Sequence, residues 1–393
     1  MIKYQGNFIL SINCGSSSLK FCLFQFSNFE LVLEGNFEGI GTGTCHFQIK
    51  DLEGNKIENK NEPILSLRIA VRLLIKWLKN HFLFENIRII SHRLVQGGPE
   101  HRDPRIISDS LLGELKEFIY LAPNHLPEEL RTIQSFLLAF PKTPQVACFD
   151  TGFHKNLPDF IKHFPIPKAY QSKGLLKYGF HGLSYTYILQ KLLEEDKDRI
   201  HQKIIIAHLG NGASMAAINK GICLDTTMGI SPLGGLVMST RIGDLDPGLL
   251  LFLMKQFKLR VNQLDNLLSK ESGLKAVSGI SDMKELLSKS QEDSKAAEAI
   301  KLFTYEARKY LGALAAALGG LDILVFTGGI GANSPIIREE ICKELGFLGI
   351  ELDFPSNNKG IDIISRPNSR VKVFAMKTDE ELVLAKMAFQ IIQ

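Results

Sequence analysis

Three short segments of this chain end an apolar run with glycine and small polar side chains: NCGSSSLK (13–20), HLGNGAS (208–214) and FTGGIGANS (326–334). Glycine lets backbone N–H groups approach an anion closely, Ser and Asn side chains add hydrogen-bonding groups, and a helix starting after such a turn favours negative charge. Each segment taken alone also reads as an ordinary tight turn. Together, at the ends of predicted strands, they share one demand, a polyphosphate. Two arginines stand beside similar turns: Arg93 in SHRLVQGG (91–98), and Arg241 in VMSTRIGDLDPG (237–248) with Asp244 and Asp246 close behind. A guanidinium is permanently charged and forked to fit phosphate or carboxylate, although on an open surface it makes only a weak ion pair. His181, in KYGFHGLSY (177–185), lies in a glycine-flanked loop entering a predicted helix, where a lone histidine is ordinarily structural. Other chemistries are excluded by pattern. The chain has no GxxxxGK[ST] phosphate loop, no HExxH, and no Cys/His spacing suited to zinc, and GLSYT (182–186) lacks the last glycine of a nucleophile elbow.

These residues need a scaffold, and its pattern is visible. Apolar, β-branched segments predict strands over 8–12, 18–26, 86–95, 145–150, 203–209, 214–219, 321–328 and 371–376. Helical periods cover 64–80, 109–119, 127–140 and 294–318. Such alternation means an α/β architecture of mixed sheets covered by helices. NCGSSSLKF follows the strand FILSI, and LGNGASMAAI follows KIIIAH, each a strand, a small-residue turn and a second strand. Gly15 and Gly210 are 195 positions apart, about half of the 393 residues. The pair reads either as two copies of one phosphate-gripping hairpin or as two ordinary hairpins that are alike by chance.

Length favours two domains. The boundary is expected within 150–180, a stretch with three prolines and no sustained period, and the last helix (379–392) is free to return to the first domain. The net charge is +4, with basic and acidic residues interspersed, so a nucleic-acid surface is not expected. The six cysteines lie far apart without a CxxC pair, which fits reduced thiols in a cytoplasm. The FILSI run before Cys14 is too short for a secretion signal. The apolar stretch 311–326 contains Asp322 and paired glycines, and reads as a helix and a buried strand, not a membrane span.

Taken in order, NCGSSSLKF, SHRLVQGG, CFDTGFH (148–154), KYGFHGLSY, HLGNGAS, LDTTMGISPLGGLVMSTRIGDLDPG (224–248), FTGGIGANS and KTDEEL (377–382) resemble the motifs of the acetate kinase family, from residue 8 to 386. That resemblance implies a two-domain, duplicated actin-like ATPase core of the ribonuclease H type, with mixed sheets flanked by helices and the active site in the interdomain cleft. It places 1–150 plus 378–393 in an N-terminal domain handling acyl substrate and phosphate. Residues 151–377 form a C-terminal domain for nucleotide binding and dimerisation. The implied reaction passes the γ-phosphoryl of ATP directly, in line, to acetate or a similar short-chain carboxylate, giving acyl phosphate and ADP, with Mg2+ or Mn2+ as cofactor, in a cytoplasmic homodimer. Carried over by position, Arg93, Asp150, His181 and Arg241 are the catalytic residues, and Arg93, Val95, Asn124, His125, Phe180 and Pro232 surround the acid. Ser16, Ser18, Lys20, His208, Asn211, Gly212, Asp282, Met283, Lys284, Gly329, Gly331 and Asn333 hold the nucleotide, while Asn13 and Glu380 hold the metal.

The chain departs from the family pattern at several of these places. Asn124 stands where the family has a leucine of the methyl pocket, so either acetate is not the best acid or the loop shifts and Leu126 fills the space. Gln96 and Tyr185 stand where histidines are usual, Gly234 and Ala332 where glutamates are. Lys284 replaces an arginine and cannot reproduce its bidentate fork. The alternatives are a kinase for propionate or another short acid, a donor other than ATP such as pyrophosphate, or a slow nucleotide-gated ATPase on the same core. Such an ATPase has no need of the set Arg93, His181 and Arg241.

Overall fold

The apolar run starting at Phe8 becomes a fully buried strand, β1 (Phe8–Cys14), which turns at Gly15 and returns antiparallel as β2 (Ser18–Gln25), setting Asn13 opposite Lys20. In the computed structural model, which describes residues 6–15, 17–81, 86–171, 173–360 and 362–393, this hairpin opens the first of two units. Unit 1 comprises Met1–Gly152 with Asp379–Gln393, and unit 2 comprises Phe153–Thr378.

In unit 1 the chain continues antiparallel through β3 (Leu31–Glu38), β4 (Cys45–Asp51) and β5 (Lys56–Glu62), while β6 (Ile87–Leu94) lies parallel on the other side of β1. Strand β8 (Gln145–Phe149) extends β6 in parallel, and the two-residue β7 (Arg105–Ile106) closes that edge, giving the order β5-β4-β3-β2-β1-β6-β8-β7. Alternation along β1 sorts its side chains. Phe8, Leu10, Ile12 and Cys14 join a core with the helix Leu67–His81, whose Leu67, Ala70, Val71, Leu74 and Leu78 recur at helical spacing. Ser11, of the opposite parity, donates to the Glu381 carbonyl of the C-terminal helix Glu380–Ile392 at 2.8 Å, so Asn13 falls on that same face. The helices Asp109–Glu117 and Leu126–Ala139 build a second cluster around Leu94 and Phe149.

Unit 2 repeats the plan. Strands β9 (Ile204–Leu209), β10 (Ala213–Asn219) and β11 (Ile222–Thr226) are antiparallel, and β12 (Ile323–Thr327) and β13 (Lys372–Ala375) are added in parallel, in the order β11-β10-β9-β12-β13. The series β3-β2-β1-β6-β8 has the same order and the same pairing senses, so the two small-residue hairpins occupy equivalent places in a duplicated core. The helix Gly182–Glu195 supplies Tyr185, Ile188 and Leu192 to the unit 2 core, and the long helix Ser294–Leu318 packs on β10.

All eight expected strands are present. Strands β3, β4, β5, β7 and β11 were not anticipated: β7 has two residues and β11 five, β3 and β4 bury only part of their residues, and β5, KIENKNE, is almost wholly solvent-facing. Among its described residues the proline-containing stretch 150–180 carries a 3-10 turn (Gly152–His154), the four-residue helices Asp159–Lys162 and Lys168–Gln171, and an isolated antiparallel bridge between His163 and Leu176. All six cysteines are buried free thiols, and among the described residues no helix is long and apolar enough to cross a membrane.

Because β12 runs parallel to β9 with Thr327 opposite His208, the turn after β12 lies against the turn after β9. Gly328 permits this contact: its φ is +79°, and a Cβ there would sit 2.6 Å from the Leu209 carbonyl oxygen. Gly328→Ala is therefore expected to lower stability by about 1–3 kcal/mol. Gly346→Ala, with nothing within 4 Å of its Cβ position, should stay within about 0.5 kcal/mol of wild type. Denaturant titration of both variants checks the difference.

Candidate active site

In unit 1 three strand ends converge. β1 ends in Asn13–Cys14, β6 carries Arg93 opposite Cys148 of β8, and Asp150 follows β8 directly. The Arg93 guanidinium, 16% exposed, donates to Asp150 Oδ2 at 2.9 Å and to Asn13 Oδ1 at 3.3 Å. Asn13 in turn donates through Nδ2 to Glu380 Oε2 at 3.3 Å and to Glu381 Oε1 at 3.0 Å, at the start of the C-terminal helix. A fourth acid comes from the helix Leu126–Ala139. Glu129, 3% exposed, accepts the Val95 N–H at 3.2 Å.

Burial works against every charge in this group. It pushes the Glu129 carboxyl up to about 8, with Arg93 and the Val95 N–H opposing, and the Glu380 carboxyl up to about 7, again against the pull of Arg93. For Arg93 burial acts downward, and Asp150, Glu380 and Glu129 outweigh it, so its pKa is raised and the guanidinium stays charged. Its Nε is buried and without a hydrogen-bond partner among the described residues. Beside this cluster the Gly15 N–H bonds the Ser18 carbonyl at 2.8 Å to close the hairpin turn, and Lys20 is exposed on β2. Ser16 lies outside the described residues.

Unit 2 gathers the other candidates. His181 begins the helix Gly182–Glu195 with φ of +57°, a left-handed conformation that a non-glycine residue adopts only when its surroundings impose it. One imposition is His154, whose Nε2 donates to the Phe180 carbonyl at 3.0 Å, and whose ring lies where a Cβ on Gly179 would collide at 2.5 Å. The His181 ring stacks on His208 with centroids 4.2 Å apart. Each imidazole is backed by a serine through Nδ1: His181 by Ser214 at 2.7 Å, His208 by Ser184 at 2.8 Å. A Cβ on Gly212 would stand 3.2 Å from His181 Nε2 and 3.3 Å from Arg241 Nη1, so both nitrogens face one glycine position. Arg241 also donates to the Pro232 carbonyl at 3.2 Å, and its backbone lies against Gly273, whose φ is +66° and whose Cβ would be 2.7 Å from the Arg241 carbonyl oxygen.

The glycine turn after β12 forms a short helix, Gly328–Gly331, with Asn333 Nδ2 donating to the Gly329 carbonyl at 3.0 Å. Buried Arg338 donates to the Gly331 and Ala332 carbonyls, each at 2.9 Å, and is held by Asn357. Asn211 is exposed beside Gly212 and accepts from Ser239. Asp282 caps the helix Met283–Lys289, which buries Met283 and leaves Lys284 exposed. Of the expected acyl-site residues, Val95 and Phe180 are buried and His125 is half-buried. Asn124 is exposed, so its amide bears no desolvation cost, while Leu126 is fully buried in the cluster around Leu94.

The residues that sequence reasoning missed act from behind. Glu129, His154, Ser214, Gly273 and Arg338 touch or support predicted residues; His154 and Ser214 end the quoted segments CFDTGFH and HLGNGAS, while Glu129, Gly273 and Arg338 had no local signal.

The Acetokinase family model matches residues 8–386. The chain belongs to that family. An acetate kinase of Treponema denticola is 40% identical over 397 residues, covering 98% of this chain and 100% of that protein. Among solved structures, the acetate kinase of Porphyromonas gingivalis superposes with a TM-score of 0.88 at 35% identity, covering 99% of this chain and 100% of that one. A propionate kinase from Francisella tularensis gives 0.91 at 34% identity, covering 98% and 100%. Membership agrees with the actin-like duplication and makes the chain a phosphotransferase family member with a carboxyl acceptor.

The buried Glu129 gives a pH signature. Its folded value of about 8 lies above the usual 4.5, so the fold favours the neutral carboxyl, and stability is lost progressively as pH rises through that interval. Glu380, raised to about 7, acts in the same direction. Glu129→Gln removes the first contribution. Between about pH 5 and pH 9 the wild-type unfolding midpoint should fall more steeply than that of the variant in calorimetry; parallel curves would contradict the neutral carboxyl.

Proposed function

We propose that this chain transfers the γ-phosphoryl of ATP to acetate or a closely similar carboxylate, reversibly, giving acyl phosphate and ADP. The observation that carries the reading is the pair of donors, His181 Nε2 and Arg241 Nη1, facing the single glycine position 212 in a turn equivalent to the first-unit phosphate turn. Phosphoryl transfer through a loose transition state spreads charge over the equatorial oxygens, and positioned donors lower that barrier. The acceptor is already ionised at neutral pH, so no general base is needed.

In this reading the Arg93 guanidinium orients the acid's carboxylate, while Arg241 and His181 stabilise the phosphoryl group in flight. Val95, Phe180, Pro232, Asn124 and His125 shape the acyl site. Lys20, Ser18, His208, Asn211, Gly212, Gly329, Gly331 and Asn333 serve the phosphates, and Asp282, Met283 and Lys284 border the nucleoside. Ser16 belongs to the first phosphate turn by position. Unit 1 is the acyl side and unit 2 the nucleotide side. A propionate kinase among the close structural relatives, together with exposed Asn124 in place of a leucine, supports propionate as a second acceptor.

The residues present fit a magnesium ion. Among the described residues no group of three or more His, Cys, Asp and Glu is assembled to hold a metal, but magnesium keeps waters and takes one or two carboxylates with its phosphates. Burial first, and then the fields of Asp150 and Glu381, push the Glu380 carboxyl up against the pull of Arg93, and a bound cation would favour its charged form. Glu380 and Asn13, with Asp150 near, would hold it, and when bound it would neutralise phosphate charge.

A homodimer is supported by the helix Pro247–Gln256. None of its residues is buried, and Leu249, Leu251, Phe252 and Met254 are exposed together with Phe257 just beyond. An apolar surface of this kind fits a second copy of the chain. Six buried free thiols and the use of ATP support a cytoplasmic location.

Two tests follow. With ATP, magnesium and a panel of short carboxylates, acyl phosphate trapped as the hydroxamate should form, with acetate and propionate leading. Arg241→Ala should lower kcat by about 10²–10³-fold. Arg93→Lys, which keeps the charge and avoids stranding Asp150, should cost about tenfold or more because the fork is lost. Wild-type rates in both variants would remove the role assignment. Separately, Phe252→Glu with Leu249→Glu should convert a dimer to a monomer in sedimentation analysis; an unchanged mass would place the dimer contact elsewhere.

A further inference from the structure

Behind His181 stands a feature that the reaction as described does not use. Ser214, fully buried on β10, hydrogen-bonds His181 Nδ1 at 2.7 Å through Oγ, and the same Oγ is in close hydrogen-bonding contact with the Tyr185 hydroxyl. Tyr185 is fully buried one turn into the helix that His181 begins, with its ring against Phe153 and His154. This is the position where the family pattern has a second histidine. We propose that Tyr185 is a positioning residue which, through Ser214, fixes the tautomer of His181 so that its Nε2 carries the proton toward Gly212.

Ser214 has a single O–H and two neighbours, so it donates to one and accepts from the other. A phenol is far more acidic than an aliphatic hydroxyl, with a reference pKa of about 10, and is the better donor of the two. The Tyr185 O–H therefore donates to Ser214 Oγ, and the Ser214 O–H donates to His181 Nδ1. Neutral imidazole has one N–H; with Nδ1 accepting, that hydrogen lies on Nε2. Nε2 is the nitrogen 3.2 Å from the Cβ position of Gly212, where Arg241 Nη1 stands at 3.3 Å. The reverse polarity would aim a lone pair at that position and repel a phosphoryl oxygen. Arg241 needs no such arrangement, since every guanidinium nitrogen bears hydrogen.

The proposal rests on the kinase reading, and two measurements separate their fates. The 15N spectrum of His181 in the ligand-free protein reports the tautomer without reference to activity, and hydroxamate formation by the wild type reports the reaction. Wild type is expected to show Nε2–H. Tyr185→Phe keeps the ring and its packing. It should shift the imidazole toward a mixture of tautomers and lower kcat about tenfold or more, with KM for ATP and for the acid unchanged. Ser214→Ala should do the same from the middle of the chain, and serves where the first variant is poorly folded by circular dichroism. Unchanged tautomer in both variants overturns the proposal. So does a changed tautomer with wild-type kcat, because the proton's location then has no consequence, and so does lost kcat with an unchanged tautomer. If wild type forms no hydroxamate with any acid, the kinase reading fails while the tautomer measurement still stands.

Discussion

One permanently charged guanidinium, buried among carboxylates, constrains the whole of unit 1. Arg93 cannot shed its proton, and water reaches it poorly, so it must be met by acid. Asp150 meets it at 2.9 Å, and Glu129 and Glu380 add their fields. Removing one partner from such a group leaves the other uncompensated, at a cost of about 3–5 kcal/mol. The strand ends are accordingly held in register by a polar demand as much as by apolar packing. A one-residue slip of β6 against β8 would turn Arg93 to the wrong face. Burial pushes two of the carboxyls toward neutrality, against the pull of Arg93. A site organised this way has its cation fixed before any ligand arrives, which is the condition for electrostatic stabilisation without reorganisation.

The duplicated sheet supplies the same backbone twice, and the two copies have diverged in charge. In unit 1 the first hairpin ends beside Asn13, Lys20 and a set of acids. In unit 2 the equivalent hairpin ends beside His208 and carries Ser214 on its second strand, with neutral hydroxyls as its supports. Parallel addition of β12 to β9 brings a second glycine turn against the first, and only Gly328 fits that approach. Arg338 then donates to the Gly331 and Ala332 carbonyls at the far end of the short helix and fixes that turn in place.

What the sequence made legible follows from locality. The small-residue turns, Arg93 beside paired glycines and Arg241 in its loop announce themselves within eight or nine residues, because turn conformation and strand-end position are local properties. The central strands were legible because they are buried on both faces and nearly continuously apolar. Strands β3 to β5 were not: β5 is an edge strand facing water, and β3 and β4 bury only part of their residues, Leu33 and Phe37 in the one and Cys45, Phe47 and Ile49 in the other. Glu129 was invisible for another reason: it lies 36 positions from Arg93 on a helix whose outward acids look the same in sequence. His154, Ser214 and Arg338 likewise act on residues far along the chain, through bonds that only the packed fold defines. Asn124 shows the opposite error. A polar residue in an apolar motif suggested a costly burial, and the fold leaves it in solvent.

A site that works only by donating hydrogen bonds has an asymmetric requirement. Arginine, lysine and backbone amides are donors at every nitrogen they present, whereas a neutral histidine is a donor on one side and an acceptor on the other. Histidine is useful against a phosphoryl group only where something behind it specifies which side. A carboxylate behind the ring would specify it most firmly, as in hydrolytic triads, yet would set a negative charge where the proposed ligand is itself a polyanion. A chain of hydroxyls from Tyr185 through Ser214 specifies the same proton with no net charge. The second imidazole, His208, is backed by Ser184 in the same neutral fashion, which is the choice expected wherever the ligand is itself an anion.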